Sequence, residues 1–116
     1  MTKPHIDKYS FGEITIDNLI YRKDVIITLS EVLPNWRREK GHVLSMADLE
    51  GVLQIHPQII LIGTGFYGRV SIADSIIQGI KDMGIQLISH KTTFACRIYN
   101  ELSNEKEVIA GLHLTC

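Results

Sequence analysis

Three glycines in the stretch IILIGTGFYGRV have the spacing of a phosphate-binding loop, G-x-G-x-x-G. Gly63, Gly65 and Gly68 come directly after the apolar run from Ile59 to Ile62. In dinucleotide-binding folds such glycines form the turn from a strand to a helix, where free backbone N–H groups bind the pyrophosphate. The motif therefore raises the question of a nucleotide cofactor.

Two features of the following sequence argue against a dinucleotide. Ser71, with Asp74 three residues later, predicts a helix that begins only after the third glycine. Ser89 and His90 stand about 20 residues on, where an acidic residue would bind the ribose hydroxyls. We therefore expect no NAD and no other cofactor.

Two interpretations of the glycines remain. In the one that we favour, they adopt positive φ values in a tight connection and have a structural role. In the other, the backbone around Gly63, Thr64 and Gly65, with Arg69 beside it, binds a carboxylate or phosphate. The carboxyl ends of parallel strands are where α/β folds place such a crevice.

The segment PNWRREKGHVL combines an aromatic ring with basic side chains. Trp36, Arg37 and His42 are residue types that stack on bases and pair with phosphates. Glu39 interrupts the charge, however, and the chain has 12 Lys and Arg against 13 Asp and Glu, a net charge of -1. Without a basic field to attract nucleic acid, we interpret the segment as a solvated loop with Trp36 as a packing anchor.

His113 and Cys116 are residue types that bind zinc or support thiol chemistry. In a strand, however, residues three apart point to opposite faces. The other histidines show no matching cluster: His5, His42, His56 and His90. Cys96 is interpreted as a small core residue on a helix. We expect no metal site, and no catalytic constellation is recognisable.

Length and composition predict a single domain over residues 1–116. The chain is 45% hydrophobic and 22% charged, which is ordinary for a soluble globular protein. Its apolar runs are far shorter than the roughly 20 residues that span a bilayer, and the start MTKPHIDKYS lacks the apolar core of a signal peptide. Cys96 and Cys116 are too few for a disulfide framework. We expect a cytoplasmic chain with no membrane insertion and no bound nucleic acid.

The N-terminal third has the pattern of short strands. Ile14 and Ile16 alternate with polar neighbours, Asp17 and Asn18 suit a tight turn, and an apolar run follows at 25–27. This pattern predicts an antiparallel hairpin or meander that either extends the main sheet or packs as a second one. The segment 29–44 is long for a connection and is either functional or partly structured.

The remaining sequence alternates between strand and helix patterns. A short helix follows Ser45, a second helix opens at Ser71 and ends at Gly84, and Thr92 or Thr93 caps a third. Apolar strands precede and follow these helices, and the last one runs from Val108 to Leu114. Two crossover units of this kind favour parallel neighbours. The predicted fold is a three-layer-like α/β domain with a central mixed, largely parallel sheet.

Several segments together resemble a known family. YSFGEI, DVIIT followed by WRREKGH, IILIGTG, IYNEL and VIAGLHLTC span nearly all of the chain. In this order and spacing they are similar to a family of small domains that includes the mitochondrial respiratory complex I assembly factor three and the adipogenesis-associated domain protein. The resemblance implies a compact α/β fold with a central mixed sheet. It implies no catalytic set, only motif positions: Trp36, Arg37, His42, Gly63, Thr64, Gly65, Asn100, His113 and Cys116.

The resemblance also implies a mode of action. Since the mitochondrial relatives act in assembling a membrane complex, their functional mode is protein contact. We infer neither a mitochondrial home nor a complex I role from this. The function that we expect is a non-catalytic interaction or assembly-type module whose partner is another protein. The alternative is a small-anion or small-molecule binding protein, or an enzyme, that uses the loop from Gly63 to Arg69 with His42 and His113.

Overall fold

A computed structural model of the chain describes residues 3–116. Met1 and Thr2 lie outside the described residues. They are the first two residues of MTKPHIDKYS, the segment that is predicted not to be a signal peptide. The elements in chain order are β1 (Ile6–Ser10), β2 (Glu13–Ile16), β3 (Leu19–Tyr21), β4 (Val25–Ile27), β5 (Val32–Leu33), β6 (Val43–Leu44), a 3-10 helix (Met46–Leu49), α1 (Glu50–Leu53), β7 (Ile59–Gly63), β8 (Ser71–Ile72), α2 (Asp74–Asp82), β9 (Gln86–His90), α3 (Thr92–Leu102) and β10 (Val108–Leu112).

The first three strands form an antiparallel meander. β1 pairs with β2, and β2 pairs with β3. Asp17 and Asn18 have φ values of 49° and 67°, which are the positive values that a two-residue type I′ hairpin loop requires. The predicted N-terminal antiparallel meander is confirmed.

The central sheet has five strands in the order β5-β4-β10-β7-β9. β7 is parallel to both β10 and β9, whereas β4 is antiparallel to both β10 and β5. The predicted mixed sheet is confirmed. The run 25–27 belongs to this sheet and not to the meander, so the N-terminal third both extends the main sheet and forms a second one.

The side chains of β7 alternate between two cores. Ile59 and Leu61 pack with α3 and the meander, whereas Ile60 and Ile62 pack with α1 and α2. Every residue of β7 and β10 is therefore buried, as is typical of parallel strands covered on both faces. This arrangement confirms the predicted three-layer-like α/β fold.

The predicted start of α2 at Ser71 is wrong. Ser71 and Ile72 form β8, which pairs in parallel with β6, and the Ser71 N–H donates to the His42 carbonyl at 2.8 Å. The helix begins at Asp74, with Ala73 as its N-cap. A serine followed by an acid three residues on is a local signal, and here the long-range strand pairing overrides it. Gly84 ends the helix with a φ of 80°, as predicted.

The predicted cap of α3 and the predicted end of β10 are also wrong. Lys91 is the N-cap of α3, and the hydroxyl of Thr92 instead donates to the His113 carbonyl at 2.6 Å. β10 ends at Leu112 because the next residues turn away, where the Leu114 N–H donates to Asp24 Oδ1 at 2.8 Å.

No helix among residues 3–116 is long and apolar enough to cross a bilayer.

Candidate functional site

The parallel strands end together at one edge of the central sheet. Gly63 of β7 is aligned with His90 of β9 and with Leu112 of β10. Two segments leave the sheet here: the glycine loop, residues 63–70, and the C-terminal tail, residues 113–116. Layered α/β folds bind ligands at this edge, and most of the predicted site residues belong to these two segments.

The tail occupies the glycine loop. The Phe66 N–H donates to the main-chain oxygen of Thr115 at 2.7 Å, and the Arg69 N–H donates to that of Cys116 at 3.1 Å. Further N–H groups of the loop also donate within the chain: Thr64 to His90 O, Gly65 to Thr92 Oγ1, Gly68 to Gly65 O and Val70 to Thr64 O. A phosphate would have to displace the tail before it could bind the N–H groups that the tail occupies.

Two of the glycines are required by close packing. A Cβ on Gly65 would overlap the main-chain carbonyl of Cys116, and the residue has a φ of 111°. A Cβ on Gly63 would lie 2.8 Å from Leu112 Cδ2 and 2.9 Å from Thr92 Oγ1. These contacts support the structural interpretation of the glycines, because they explain both positions without a ligand.

Asp24, Arg38 and His113 form a buried charged cluster next to the tail. Asp24 Oδ2 accepts hydrogen bonds from His113 Nδ1 at 2.7 Å and from Arg38 Nη2 at 2.9 Å. The Arg38 side chain is only 4% exposed, and its guanidinium lies 4.8 Å from the centre of the Trp36 ring. Arg38 Nη1 is buried and has no hydrogen-bond partner in the part of the chain that the structure describes. The cluster connects the chain before β4, the segment between β5 and β6, and the tail.

The contacts of Asp24 decide where the His113 proton lies. His113 Nδ1 lies 2.7 Å from Asp24 Oδ2 and 3.0 Å from Arg38 Nη2. The shorter contact, to a carboxylate oxygen that an unprotonated Nδ1 would repel, assigns the proton to Nδ1, and Arg38 Nη2 then donates to Asp24 Oδ2. Burial by itself would raise the pKa of Asp24, but the hydrogen bonds from His113, Leu114 and Arg38 outweigh burial and hold this pKa below its ordinary value. Asp24 is therefore a carboxylate whose charge is stabilised by hydrogen bonds from the protein itself.

The same geometry limits what His113 can do chemically. Its Nε2 lies 3.4 Å from Thr115 Oγ1, and its ring centre lies 5.8 Å from that of His42. An Asp–His pair orients an imidazole as it does in hydrolytic triads. The Phe66 and Arg69 N–H groups nearby, which could stabilise an oxyanion, are bound to the tail. The contacts favour a role for this cluster in holding the tail.

On the outside of the glycine loop, three aromatic side chains contact one another. The ring centres of Phe11 and Phe66 are 5.7 Å apart, those of Phe66 and Tyr67 5.1 Å, and those of Phe11 and Tyr67 6.1 Å. The exposed fractions of Phe11, Phe66 and Tyr67 are 50%, 38% and 59%. Phe11, Phe66 and Tyr67 form the aromatic cluster. Tyr9 contacts Phe66 and donates through its hydroxyl to the Leu114 carbonyl at 2.8 Å.

The chain matches a known protein family over most of its length. A family model described as a protein of unknown function (DUF498/DUF598) matches residues 6–113. The chain belongs to this family. The family description names no activity, and membership confirms the resemblance found in the sequence.

Solved structures show the same fold. A conserved hypothetical protein from Pyrococcus horikoshii OT3 is 26% identical, with a TM-score of 0.86 over 96% of this chain and 98% of that chain. A protein from Xanthomonas campestris is 22% identical, with a TM-score of 0.82 over 98% and 86% of the two chains. A Bordetella pertussis protein described as a Mth938-like domain is 17% identical, with a TM-score of 0.69 over 96% and 85%.

The predicted site residues fall into two groups in this family member. Those near the strand ends, where the glycine loop, the tail and the charged cluster meet, are Trp36, His42, Gly63, Thr64, Gly65, Arg69, His113 and Cys116. Asn100 lies elsewhere, on α3, where its side-chain amide binds the N–H and carbonyl of Ile6 at 3.0 and 2.8 Å. The side chain of Arg37 is on the surface. Across residues 3–116, no group of three or more His, Cys, Asp or Glu could hold a metal ion.

Trp36 has the packing role that the sequence indicates. Its ring lies where a Cβ on Gly111 would be 2.8 Å from Trp36 Cη2, and its indole N–H donates to the Asp48 carbonyl at 3.2 Å. Gly111 is therefore the position in β10 that makes room for this ring.

Sequence reasoning missed Asp24, Arg38, Thr92 and the aromatic cluster as parts of the site. Asp24 and Thr92 have no local signal, because their partners are 89 and 21 residues away. Phe66 and Tyr67 do carry one. Two consecutive aromatic residues in a glycine-rich loop are unexpected in a solvated connection, and this anomaly could have indicated a contact surface.

Proposed function

We propose that this chain is a non-catalytic protein-interaction module of the assembly type, and that the aromatic cluster is its contact surface. The observation that carries the proposal is that Phe11, Phe66 and Tyr67 contact one another while each remains more than a third exposed. Contiguous exposed apolar groups are typical of protein interfaces. Aromatic residues also dominate the binding energy of such interfaces.

The anchoring of the loop supports this role. Phe66 is fixed by its N–H bond to Thr115, and Tyr67 lies between Phe66 and Arg69, whose N–H binds Cys116. A loop that is already ordered loses little conformational entropy when a partner binds. The tail therefore orders the loop that carries Phe66 and Tyr67 before a partner binds.

The charges near the cluster indicate the chemistry of the partner. Arg69 and Lys91 are exposed, and the Lys91 side chain lies against Gly68 of the same loop. A protein with an apolar centre and an acidic rim would match this surface.

The alternative, small-anion binding by the loop from Gly63 to Arg69, has less support. The N–H groups that it needs are bound within the chain, two of them by the tail. A thermal-shift titration with inorganic phosphate tests it, with Arg69→Ala as the control variant. A phosphate-dependent rise in melting temperature that Arg69→Ala abolishes would favour the alternative.

The proposal also includes a cellular compartment and a domain organisation. Cytoplasmic localisation is supported by the free thiols of Cys96 and Cys116, since reducing compartments keep thiols unpaired. A single domain over 1–116 is supported by the central sheet, because β7 contributes side chains to both cores.

A crosslinking experiment with a matched control tests the proposed surface. A photo-reactive residue at position 67 should crosslink one protein partner in extract, which mass spectrometry identifies. With that partner purified, the double variant Phe11→Ser/Tyr67→Ser should raise the Kd at least about tenfold. Phe94→Ser should leave the Kd unchanged, because Phe94 is as exposed as Phe11, at 50%, but lies outside the aromatic cluster.

Three results would count against the proposal. These are equal weakening by Phe94→Ser, no effect of the double variant, and crosslinks only to a second copy of the chain. Melting temperatures of all variants must stay close to that of the wild type for the comparison to hold.

A further inference from the structure

The outer edge of the central sheet is open along β9. β9 is the last strand in the order β5-β4-β10-β7-β9, so within residues 3–116 only one of its sides is paired. Beside it lies a groove of about 310 Å³ lined by residues of α2, of β9 and of the turn between them: Ile77, Lys81, Gly84, Ile85, Gln86 and Leu87. Leu87 and Ile88 are half-buried on opposite faces of the strand.

The pairing with β7 determines which backbone groups of β9 face outward. The Gln86 N–H donates to the Gln58 carbonyl at 3.1 Å, and the His90 carbonyl accepts from the Thr64 N–H at 2.9 Å. Alternate residues of a parallel strand bond to the same neighbour. The N–H and C=O groups of Leu87 and Ser89 consequently point to the free edge.

The other edge strands are shorter or less regular than β9, and β6 and β8 have only two residues each. β5 has only two residues and is followed by Pro34. β1 has an irregular register after Ile6, and Asn100 binds the backbone of Ile6. β3 has only three residues. β9 is five residues long, QLISH, without Lys, Pro or a bulge, and such edges are templates for further strand pairing.

The edge of β9 is complementary to itself under a two-fold rotation. With Ile88 on the axis, Leu87 of each copy lies opposite Ser89 of the other. Both residues face outward, so each such pair exchanges two N–H···O=C bonds. Four backbone hydrogen bonds would form, and no outward-facing group of these residues would be left over.

One stripe of the neighbouring helix α2 is also complementary to itself. Asp74, Ile77 and Lys81 follow one another on one stripe of α2 at spacings of three and four. Counted from the turn at Gly84, helix and strand rises of about 1.5 and 3.3 Å per residue place Ile77 about 10.5 Å and Ile88 about 13 Å from that turn, so Ile77 lies within about 3 Å of the height of the axis. A two-fold axis at Ile88 brings the two Ile77 side chains near each other and runs the two stripes antiparallel, so that the acidic end of one stripe lies towards the basic end of the other.

We propose that two copies of this chain associate through antiparallel pairing of their β9 strands, with their α2 stripes packed across the same two-fold axis. The central sheet then continues from one copy into the other. The exposed side chain of Ile77 and the groove beside it become buried. This surface is separate from the aromatic cluster, so the association does not depend on the proposed function.

Sedimentation of the full chain between about 1 and 100 μM tests the association. The expected result is a reversible equilibrium between the 13.1 kDa chain and a species of twice that mass. Ile77→Glu places like charges near the axis and should raise the dimer Kd at least about tenfold. Ile20→Glu is the matched control, since Ile20 is an exposed isoleucine on another edge strand, β3, and should leave the Kd unchanged.

A charge exchange tests the axis itself. Lys81→Asp should weaken the dimer, because the new aspartate at position 81 faces Asp74 of the other copy. Adding Asp74→Lys to the same chain should restore the affinity of the dimer. Amide exchange at Leu87 and Ser89 should slow as the concentration rises. A chain that stays monomeric throughout, a dimer that Ile77→Glu leaves intact, or concentration-dependent protection outside β9 would each overturn the proposal.

Discussion

Asp24 is the residue through which distant segments contact each other. Its carboxylate accepts from Arg38, His113 and the Leu114 N–H, and its carbonyl accepts from the Trp36 N–H at 2.8 Å. Removing one partner from a buried ion pair leaves the other charge without compensation. Asp24 therefore determines the position of both the segment before β6 and the tail.

The depressed pKa of Asp24 makes stability depend on pH. A carboxyl whose folded-state pKa lies below its unfolded value of about 3.9 adds stability above that pH and loses it as the pH falls through the folded value. Asp24→Asn should lower the free energy of unfolding at pH 7 by about 3–5 kcal/mol. It should also flatten the decline of stability below about pH 4.

Urea unfolding of the wild type and the variant at several pH values measures this effect. Asp82→Asn serves as the control, because Asp82 is exposed on α2 and bonded only to Gln78 among the side chains described. An acid dependence of Asp24→Asn as steep as that of the wild type would contradict the role assigned to Asp24.

At the scale of elements, the glycine loop and the tail form one unit. The loop donates to Thr115 and Cys116, and Gly65 provides the space for the Cys116 carbonyl. Thr92 of α3 joins the two segments, because its hydroxyl accepts from the Gly65 N–H and donates to the His113 carbonyl. The shape of the loop is therefore decided by partners that are distant in sequence.

Gly65→Ala should separate the tail from the loop. The new Cβ overlaps Cys116, and alanine is strained at a φ of 111°. We expect a loss of about 2–4 kcal/mol in the free energy of unfolding. The Phe66 N–H should also exchange faster with solvent, because it loses its bond to Thr115. Chemical denaturation and amide exchange measure the two effects.

Gly51→Ala is the matched control for this substitution. Gly51 lies in α1, and a Cβ there would meet nothing within 4 Å. Alanine favours a helix over glycine by about 0.5–1 kcal/mol, so this variant should be no less stable than the wild type. Equal stability of Gly65→Ala and the wild type would show that the tail does not depend on the glycine.

At the scale of the whole molecule, α3 links the meander to the central sheet. One side of the helix packs with β7 and β10, and Tyr99 and Asn100 bond to the N-terminal segment. The Tyr99 hydroxyl donates to the Pro4 carbonyl at 3.0 Å, and burial raises the pKa of Tyr99 to about 12. The meander is held to the central sheet by these bonds and by the core that both share.

Asn100→Ala should loosen the meander without disturbing the strand-end site. It leaves the N–H and C=O of Ile6 without their partner. We expect a loss of about 1–3 kcal/mol in the free energy of unfolding and faster amide exchange at Ile6. Gln78→Ala, which removes an exposed amide on α2, should change stability by no more than about 0.5 kcal/mol. Unchanged exchange at Ile6 would exclude a linking role for Asn100.

The sequence predicted what local chemistry controls. Alternation of apolar residues indicated the strands, Asp17 and Asn18 the hairpin turn, and Gly84 the end of α2. Predictions were wrong where a distant partner competes with a local signal: Ser71 pairs with the segment before β6, and Thr92 bonds to His113 instead of capping α3.

The sequence by itself determined the α/β class, the meander, the mixed sheet and the family, because these depend on periodicity, turn residues and the order of motifs. Only the tertiary structure decided what the glycine loop does. Its N–H groups find their acceptors in Thr115 and Cys116, nearly fifty residues further along the chain, and no local pattern encodes such a pairing. The same packing turns Phe66 and Tyr67 outward, towards Phe11, and binds the Phe66 and Arg69 N–H groups that G-x-G-x-x-G alone would predict to be free.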